Sequence, residues 1–151
     1  LGVSASVQFS HAPADRDLAE QHWAGRLGGA YAYRSLVDSG AVVVNGSDAP
    51  IEELDPLAGI RAAVTRTLDG RPGWRSEQAL TMWEAVEAST AAPAWLARDE
   101  RRRGKLLPGQ LADLVVLDRD PFACPADELA TIQVVATMVG GRWLHNPPPW
   151  E

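Results

Sequence analysis

Lysine, cysteine and histidine are scarce in this 151-residue sequence, and each scarcity excludes a class of site. Cys124 is the only cysteine, so no internal disulfide can form, and we expect a reducing compartment, the cytoplasm. The three histidines, His11, His22 and His145, form neither a His-x-His pair nor a His-Glu-x-x-His helix. The chain therefore lacks the three protein ligands that a catalytic zinc ion usually needs.

Long apolar runs and an excess of basic residues are also missing. No apolar run approaches the roughly 20 residues of a membrane span, so we expect no membrane partner. The net charge of -6 disfavours nucleic acid. The arginine-rich run 98–105 includes Asp99 and Glu100, and we expect it at a helix C-terminus, where cations suit the helix dipole.

Strand and helix patterns alternate in the first half of the chain. Val3–Gln8 alternates apolar and small residues with no turn signal before it, so we expect a strand that is already under way. Residues 18–37 are predicted to be helical, with an interruption at Gly28-Gly29. The β-branched run 41–44 indicates a strand covered on both faces. This order is typical of a parallel α/β unit.

Later helices are predicted from their first residues. Asp55 is a suitable N-cap before Pro56, and Thr81 with Glu84 matches a capping box. The predicted helices cover 56–68, 82–90 and 93–102. After Gly104 the pattern changes to short strands. They are predicted at 105–107 and 112–117 around a Pro108-Gly109 turn, with one helical turn at 127–132 and a Gly140-Gly141 hairpin of 134–139 and 142–145.

Two candidate site residues follow the two strands of the first half. Asp48 comes just after the β-branched run, where a carboxylate could ligate a metal and accept a proton from metal-activated water. Gly46 would allow close backbone approach, and Ser47 could orient the carboxylate. If the strands are parallel neighbours, His11 emerges at the same edge and could bind a substrate carbonyl. The alternative is that Asp48 caps a loop and His11 is an ordinary loop histidine.

An ordered set of short motifs resembles the amidohydrolase 3 family of metal-dependent amidohydrolases, which includes N-substituted formamide deformylase-like proteins. In the first half the motifs are Val7-Gln8, His11, Asp15, Arg26-Leu27-Gly28, Tyr33-Arg34-Ser35-Leu36, Gly46-Ser47-Asp48-Ala49-Pro50, Asp55-Pro56-Leu57 and Ala63-Val64-Thr65-Arg66. Later motifs are Leu80-Thr81, Gly104-Lys105-Leu106, Pro108-Gly109, Ala112-Asp113-Leu114-Val115-Val116-Leu117-Asp118, Asp120-Pro121-Phe122 and Val139-Gly140-Gly141-Arg142. The resemblance covers nearly the whole chain.

The resemblance implies an α/β fold, with the last two β/α units of a (β/α)8 barrel followed by the C-terminal part of a small β-domain. The expected divisions are barrel portion 1–104, β-domain share 105–146 and tail 147–151. By the same resemblance, Asp48 is the metal-ligating, proton-accepting aspartate after the eighth strand. His11 matches the substrate-contacting histidine after the seventh strand.

The resemblance also implies a divalent metal, zinc, whose other ligands lie upstream of this chain. In many amidohydrolases the bridging ligand is a carboxylated lysine, a role that Lys105, within the β-part, cannot take. We therefore expect a C-terminal fragment of an enzyme that hydrolyses a non-peptide C–N bond in a small amide-type substrate. Its partner is the missing N-terminal barrel portion, and without it the chain is inactive. The alternative is a non-catalytic remnant or interaction module that self-associates through exposed strand edges.

Overall fold

The computed structural model describes residues 2–146, and its first sheet joins two short parallel strands. These strands, β1 (Ala5–Val7) and β2 (Val43–Asn45), pair with Ser6 opposite Val44. Val43 and Val44 are buried, as the β-branched run predicts. The prediction of neighbouring parallel strands is confirmed.

The segment between β1 and β2 is more broken than the predicted helix over 18–37. It forms α1 (His11–Ala14), α2 (Arg16–His22), a 3-10 turn at Leu27–Gly29 and α3 (Tyr33–Asp38). Gly25 at φ 79° and Tyr31 at φ 48° lie in the left-handed region, which a right-handed helix cannot include. The prediction of one long helix is therefore wrong beyond the expected break at Gly28-Gly29.

Three helices follow β2, and their predicted starts are confirmed. They are α4 (Pro56–Thr65), α5 (Met82–Ser89) and α6 (Ala91–Leu96). Asp55 caps α4, because its Oδ1 accepts a hydrogen bond from the Leu57 amide at 2.9 Å. At the start of α5, Thr81 and Glu84 accept hydrogen bonds from each other's backbone amides, which completes the capping box.

The predicted ends of α4 and α6 are too late. Arg66, just after α4, has φ 59°, and Arg98, two residues after α6, has φ 58°. Both residues leave the right-handed helical region, so neither helix can continue through them. The helix predicted over 93–102 is instead α6, which begins two residues earlier and ends at Leu96.

A second sheet contains three antiparallel strands. They are β3 (Leu114–Leu117), β4 (Val134–Val139) and β5 (Arg142–His145), in the order β3-β4-β5. Gly140 and Gly141 have φ of 56° and 78°, as a tight primed turn requires, so the hairpin prediction is confirmed. The helical turn predicted at 127–132 is a 3-10 helix at Ala126–Thr131. The strand predicted at 105–107 is wrong, because those residues have no strand partner among residues 2–146.

A buried core lies where α3, α4 and α5 pack against β2 and the end of β1. Small residues dominate the helix faces and let the backbones approach closely. They are Ala62, Ala63, Ala85 and Ala88. Phe9 and Tyr33 supply the bulk, with their rings edge to face at 5.2 Å. This packing fixes the chain just before His11.

Within residues 2–146, no helix combines the length and the apolar character that a bilayer crossing needs. The predicted loose tail, 147–151, lies outside the described residues.

Candidate functional site

His11 is positioned by the end of β1 and by the core beneath it. Phe9 is fully buried, and its backbone amide donates a hydrogen bond to Oδ1 of Asn45 at 3.0 Å. The Tyr33 hydroxyl donates to the carbonyl of Gln8 at 2.7 Å. With the two preceding residues held in this way, His11 begins α1 at the carboxyl end of β1, and its side chain is 23% exposed.

Asp48 lies in a tight turn three residues after β2. The Ile51 amide donates to the Asp48 carbonyl at 2.8 Å, and Asp48 has φ 59°, a conformation that aspartate tolerates better than most residues. Ser47 makes no hydrogen bond to the Asp48 carboxylate among the described residues, and its Oγ accepts from the Ala49 amide at 3.3 Å. Gly46 is not crowded either, since an added Cβ would meet open space. The turn leaves the Asp48 side chain 49% exposed.

The two predicted site residues meet at the carboxyl ends of β1 and β2. His11 Nε2 lies 3.5 Å from Asp48 Oδ2. The two groups do not form a hydrogen bond at this separation, although Nε2 is shielded from solvent and has no hydrogen-bond partner among the described residues. A pair this exposed contributes little to stability. The arrangement therefore places an accessible carboxylate beside a shielded imidazole nitrogen that has no hydrogen-bond partner among the described residues.

Asp15 is a site residue that the sequence analysis named only as part of a motif. It stands four residues after His11, one helical turn further on, and its Oδ2 lies 3.9 Å from His11 Nδ1. The Tyr31 hydroxyl donates to the same oxygen at 2.6 Å. Burial, then this bond to the carboxylate, raises the pKa of Tyr31 well above its usual range, so the hydroxyl stays a donor at neutral pH. The four-residue spacing was the one signal that could have indicated this contact.

Asn45 is the residue that sequence reasoning missed entirely. Its Oδ1 accepts from the Phe9 amide at 3.0 Å, and its Nδ2 donates to Ser89 Oγ at 3.4 Å. The side chain thus ties the end of β1 to the end of α5 from the last position of β2. An asparagine closing a β-branched run could have indicated a strand end, but not these partners.

A buried arginine, Arg66, packs against Tyr33, the residue that bonds to the end of β1. Arg66 is fully buried, its Nε donates to the Trp74 carbonyl at 3.0 Å, and its guanidinium lies 4.9 Å from the centre of the Tyr33 ring. Burial lowers the pKa of Arg66 and raises that of Tyr33. Because Tyr33 in turn bonds to Gln8, Arg66 stabilises the backbone that leads to His11.

Asp48 fits a divalent metal as one ligand, because its carboxylate is accessible and stands beside an imidazole nitrogen without a partner. A complete donor set is not present in residues 2–146, where no three His, Cys, Asp or Glu side chains are grouped to hold a metal ion. His22 ends α2 and His145 ends β5, so neither adds a ligand at the site. Among the described residues, the chain thus provides part of a metal site.

Comparison with known proteins identifies relatives of this chain. The sequence is 35% identical over 124 residues to the putative amidohydrolase YtcJ of Bacillus subtilis. The match covers 80% of this chain and 23% of YtcJ. It is 37% identical over 109 residues to the N-substituted formamide deformylase of Arthrobacter pascens, covering 72% of this chain and 20% of that enzyme. The chain thus spans about a quarter or less of the curated relatives it matches.

A crystal structure of an uncharacterized metal-dependent hydrolase from Pyrococcus horikoshii OT3 superposes with a TM-score of 0.70 at 29% identity. The match covers 83% of this chain and 26% of that one. Residues 1–145, nearly the whole sequence, match the family described as the amidohydrolase family. The chain therefore belongs to the amidohydrolase family, as its motifs predicted.

Proposed function

We propose that this chain is the C-terminal part of a metal-dependent amidohydrolase that hydrolyses a non-peptide C–N bond in a small amide or formamide. The observation that carries the proposal is the pairing of His11 with Asp48, at 3.5 Å, where two parallel strands end. Active sites of α/β barrels form at this end of the strands. The similarity to a relative named for N-substituted formamide deformylation supports the bond type.

In this proposal Asp48 is both a metal ligand and the proton acceptor, and His11 binds the substrate. A divalent metal, expected to be zinc, supplies Lewis-acid chemistry that activates water and polarises a carbonyl. The Asp48 carboxylate is accessible enough to take a proton from the attacking water and return it to the leaving nitrogen. His11 lies at the same edge, with Nε2 3.5 Å from the Asp48 carboxylate, and in this proposal its ring contacts the substrate carbonyl.

We further propose the division of the chain into a barrel portion, 1–104, and a share of a β-domain, 105–146. In the first range, two parallel strands with helices between and after them fit the last two β/α units of a (β/α)8 barrel. Two strands cannot close a barrel, so other strands are required on the free edges of β1 and β2. An apolar cleft of about 730 Å³ lies between α4, α5 and β3. In this proposal it is filled by β-domain residues from the part of the protein outside this chain. Its lining includes Ile60, Val86, Val115 and Phe122.

The alternative function is a non-catalytic module of the same fold. The incomplete donor set among residues 2–146 favours it for the chain on its own. Exposed apolar side chains, such as Leu106 and Val115, would then mark surfaces for self-association. We expect the isolated chain to show no hydrolase activity in either case.

The test uses the protein encoded by the whole reading frame that contains this chain. With zinc supplied, it should hydrolyse N-substituted formamides or simple amides, and Asp48→Asn should lower kcat by about 100-fold or more. Asp17→Asn, an exposed carboxylate that pairs with Arg71, is the matched control and should leave kcat unchanged. Full activity of Asp48→Asn in the whole protein would contradict the proposal, and metal-dependent turnover by residues 1–151 alone would contradict the expected inactivity of the isolated chain.

A further inference from the structure

A polar cleft of about 240 Å³ lies next to the His11–Asp48 pair, between the end of β2 and the start of α4. This strand-end cleft is lined by Ser10, the residue before His11, and by Ser47, the residue before Asp48. Its other polar lining residues are Asn45, Glu53, Asp55 and Ser89. At roughly 30 Å³ per water molecule, the cleft has room for a group of several non-hydrogen atoms.

Ser10 brings a buried hydroxyl to the wall of this cleft. The residue is only 8% exposed, and although it directly precedes α1, its side chain makes no capping bond to that helix. No other group among residues 2–146 forms a hydrogen bond with the hydroxyl. A buried hydroxyl without a partner is costly, so the Ser10 hydroxyl is a group that a molecule in the cleft would satisfy.

The asparagine and the second serine of the cleft are already engaged with other parts of the chain. Asn45 Oδ1 accepts from the Phe9 amide, and its Nδ2 lies 3.4 Å from Ser89 Oγ, which donates to the Ala85 carbonyl. Helix α4 packs closely on this pair, because a Cβ added at Gly59 would lie 3.3 Å from Asn45 Nδ2. One wall of the cleft is therefore rigid, and the groups left for a ligand are the Ser10 hydroxyl and the carboxylates.

The charge that lines the cleft is entirely negative. Glu53 and Asp55 are both part of the wall, whereas no arginine, lysine or histidine among residues 2–146 lines it. The start of a helix usually favours an anion. Here Asp55 Oδ1 already accepts from the Leu57 amide at 2.9 Å, so α4 has its own carboxylate. A further anion would be repelled, and a cation would be attracted.

We propose that the strand-end cleft binds a primary ammonium group on the part of the substrate that does not react. Glu53 and the Ser10 hydroxyl accept its hydrogen bonds, and Glu53 determines the preference for the charge. A primary ammonium group has three N–H donors and no acceptor, so it suits a wall of acceptors with negative charge. This inference rests on the proposed hydrolysis of small amides, and it narrows the substrate to a monoacylated diamine.

The first test compares charged and neutral substrates in the protein encoded by the whole reading frame. The charged series is N-(aminoalkyl)formamides with two to four methylene groups, and the neutral series is N-alkylformamides of equal length. Wild type should favour the charged series in kcat/KM at one length or more. Glu53→Gln should lower that preference by about 10-fold, mainly through KM, because it removes the charge and keeps an acceptor oxygen.

Two further variants separate contact from overall charge. Ser10→Ala should lower the preference for the charged series by about threefold, since it removes one acceptor. Glu52→Gln is the matched control, because this neighbouring glutamate does not line the cleft, and it should keep both the preference and the activity. Equal loss of preference in Glu52→Gln and Glu53→Gln would overturn the inference, because the net charge of the loop would then be responsible.

The second test needs no turnover. Saturation-transfer NMR on the whole protein detects weak binding of n-butylammonium, with n-butanol as the neutral probe of equal length. The signal of n-butylammonium should exceed that of n-butanol in wild type and in Glu52→Gln, and it should fall in Glu53→Gln. Equal signals of n-butylammonium in wild type and Glu53→Gln would overturn the inference.

The two tests distinguish failure of this inference from failure of the proposed function. If the whole protein hydrolyses the neutral series as well as the charged one, the inference is wrong and the proposed function stands. If it hydrolyses neither series, the proposed function fails. Binding of n-butylammonium that depends on Glu53 would still support the cleft as a site for a primary ammonium group.

Discussion

The side chain of Asn45 accepts a hydrogen bond from the backbone amide of Phe9 at 3.0 Å, across 36 residues of sequence. This bond joins the last residue of β2 to the segment just after β1. It holds the segment that leads to His11 against the end of β2, the strand that leads to Asp48. The geometry of the candidate site therefore depends on a residue that does not touch it.

Replacing Asn45 tests this dependence. Asn45→Ala leaves the buried Phe9 amide without an acceptor, and we expect a loss of about 1 to 3 kcal/mol in the free energy of unfolding. The Phe9 amide should exchange its hydrogen faster, as measured by mass spectrometry. Ser47→Ala is the control, because its Oγ accepts only a 3.3 Å bond in an exposed loop. Equal protection of Phe9 in both variants would show that Asn45 is dispensable.

The ion pair between Arg34 and Glu84 predicts a loss of stability in acid. Two hydrogen bonds of 2.7 and 2.6 Å from the guanidinium, and then the Thr81 amide, lower the pKa of Glu84 to about 2. Because this pKa is below the value of 4.5 for an unperturbed glutamate, the stabilisation is present above pH 4.5 and is lost as the pH falls toward 2.

We expect this contribution to be about 1 kcal/mol, since both side chains are partly exposed and solvent screens the pair. Urea unfolding of wild type and Glu84→Gln between pH 7 and pH 3 measures it. The difference between the two proteins should shrink as the pH falls. Glu87→Gln, on the exposed side of the same helix, should follow wild type at every pH. A constant difference for Glu84→Gln would show that the charge is not responsible.

Two substitutions of Arg66 separate the contribution of side-chain volume to stability from the contribution of charge. Its two terminal nitrogens are buried and have no hydrogen-bond acceptor among residues 2–146. Replacing a poorly compensated buried charge by an apolar side chain of similar length is often nearly neutral. We therefore expect Arg66→Met to change the free energy of unfolding by about 1 kcal/mol or less. Arg66→Ala should cost about 3 kcal/mol, because it leaves a cavity under Tyr33.

Chemical denaturation of both variants decides between the two effects. If Arg66→Met is as damaging as Arg66→Ala, the guanidinium itself is required, through its bond to the Trp74 carbonyl and its contact with the Tyr33 ring.

Gly104 stands at the proposed boundary between the barrel portion and the β-domain share, and we expect it to tolerate no side chain. An added Cβ would lie 2.7 Å from the Ala94 Cβ and 3.1 Å from the Thr90 carbonyl oxygen, at a φ of 93°. Gly104→Ala should therefore lower the melting temperature through both backbone strain and steric overlap, and so by more than a substitution that causes backbone strain alone. Gly109→Ala is the matched control, with φ 89° and open space around its Cβ. Equal shifts for the two variants would mean that the contact with α6 relaxes easily.

Local features of this fold could be predicted from the sequence because their bonds span only a few residues. The Asp55 cap, the Thr81–Glu84 capping box and the Gly140-Gly141 turn all join residues within four positions of each other. Helix ends were harder, because Tyr31, Arg66 and Arg98 adopt left-handed conformations that their residue types do not favour. Tertiary contacts impose those conformations, as the aromatic packing of Tyr31 illustrates.

For the candidate site, the sequence by itself determined the fold class, the family and the two residues, His11 and Asp48, that follow adjacent strands. Tertiary structure decided what surrounds them. The bonds from Asn45 to Phe9 and from Tyr31 to Asp15 join residues 36 and 16 positions apart. Contacts at such separations depend on the pairing of β1 with β2 and on the packing of the intervening helices against the core. No local periodicity or spacing records them, so only the folded chain shows them.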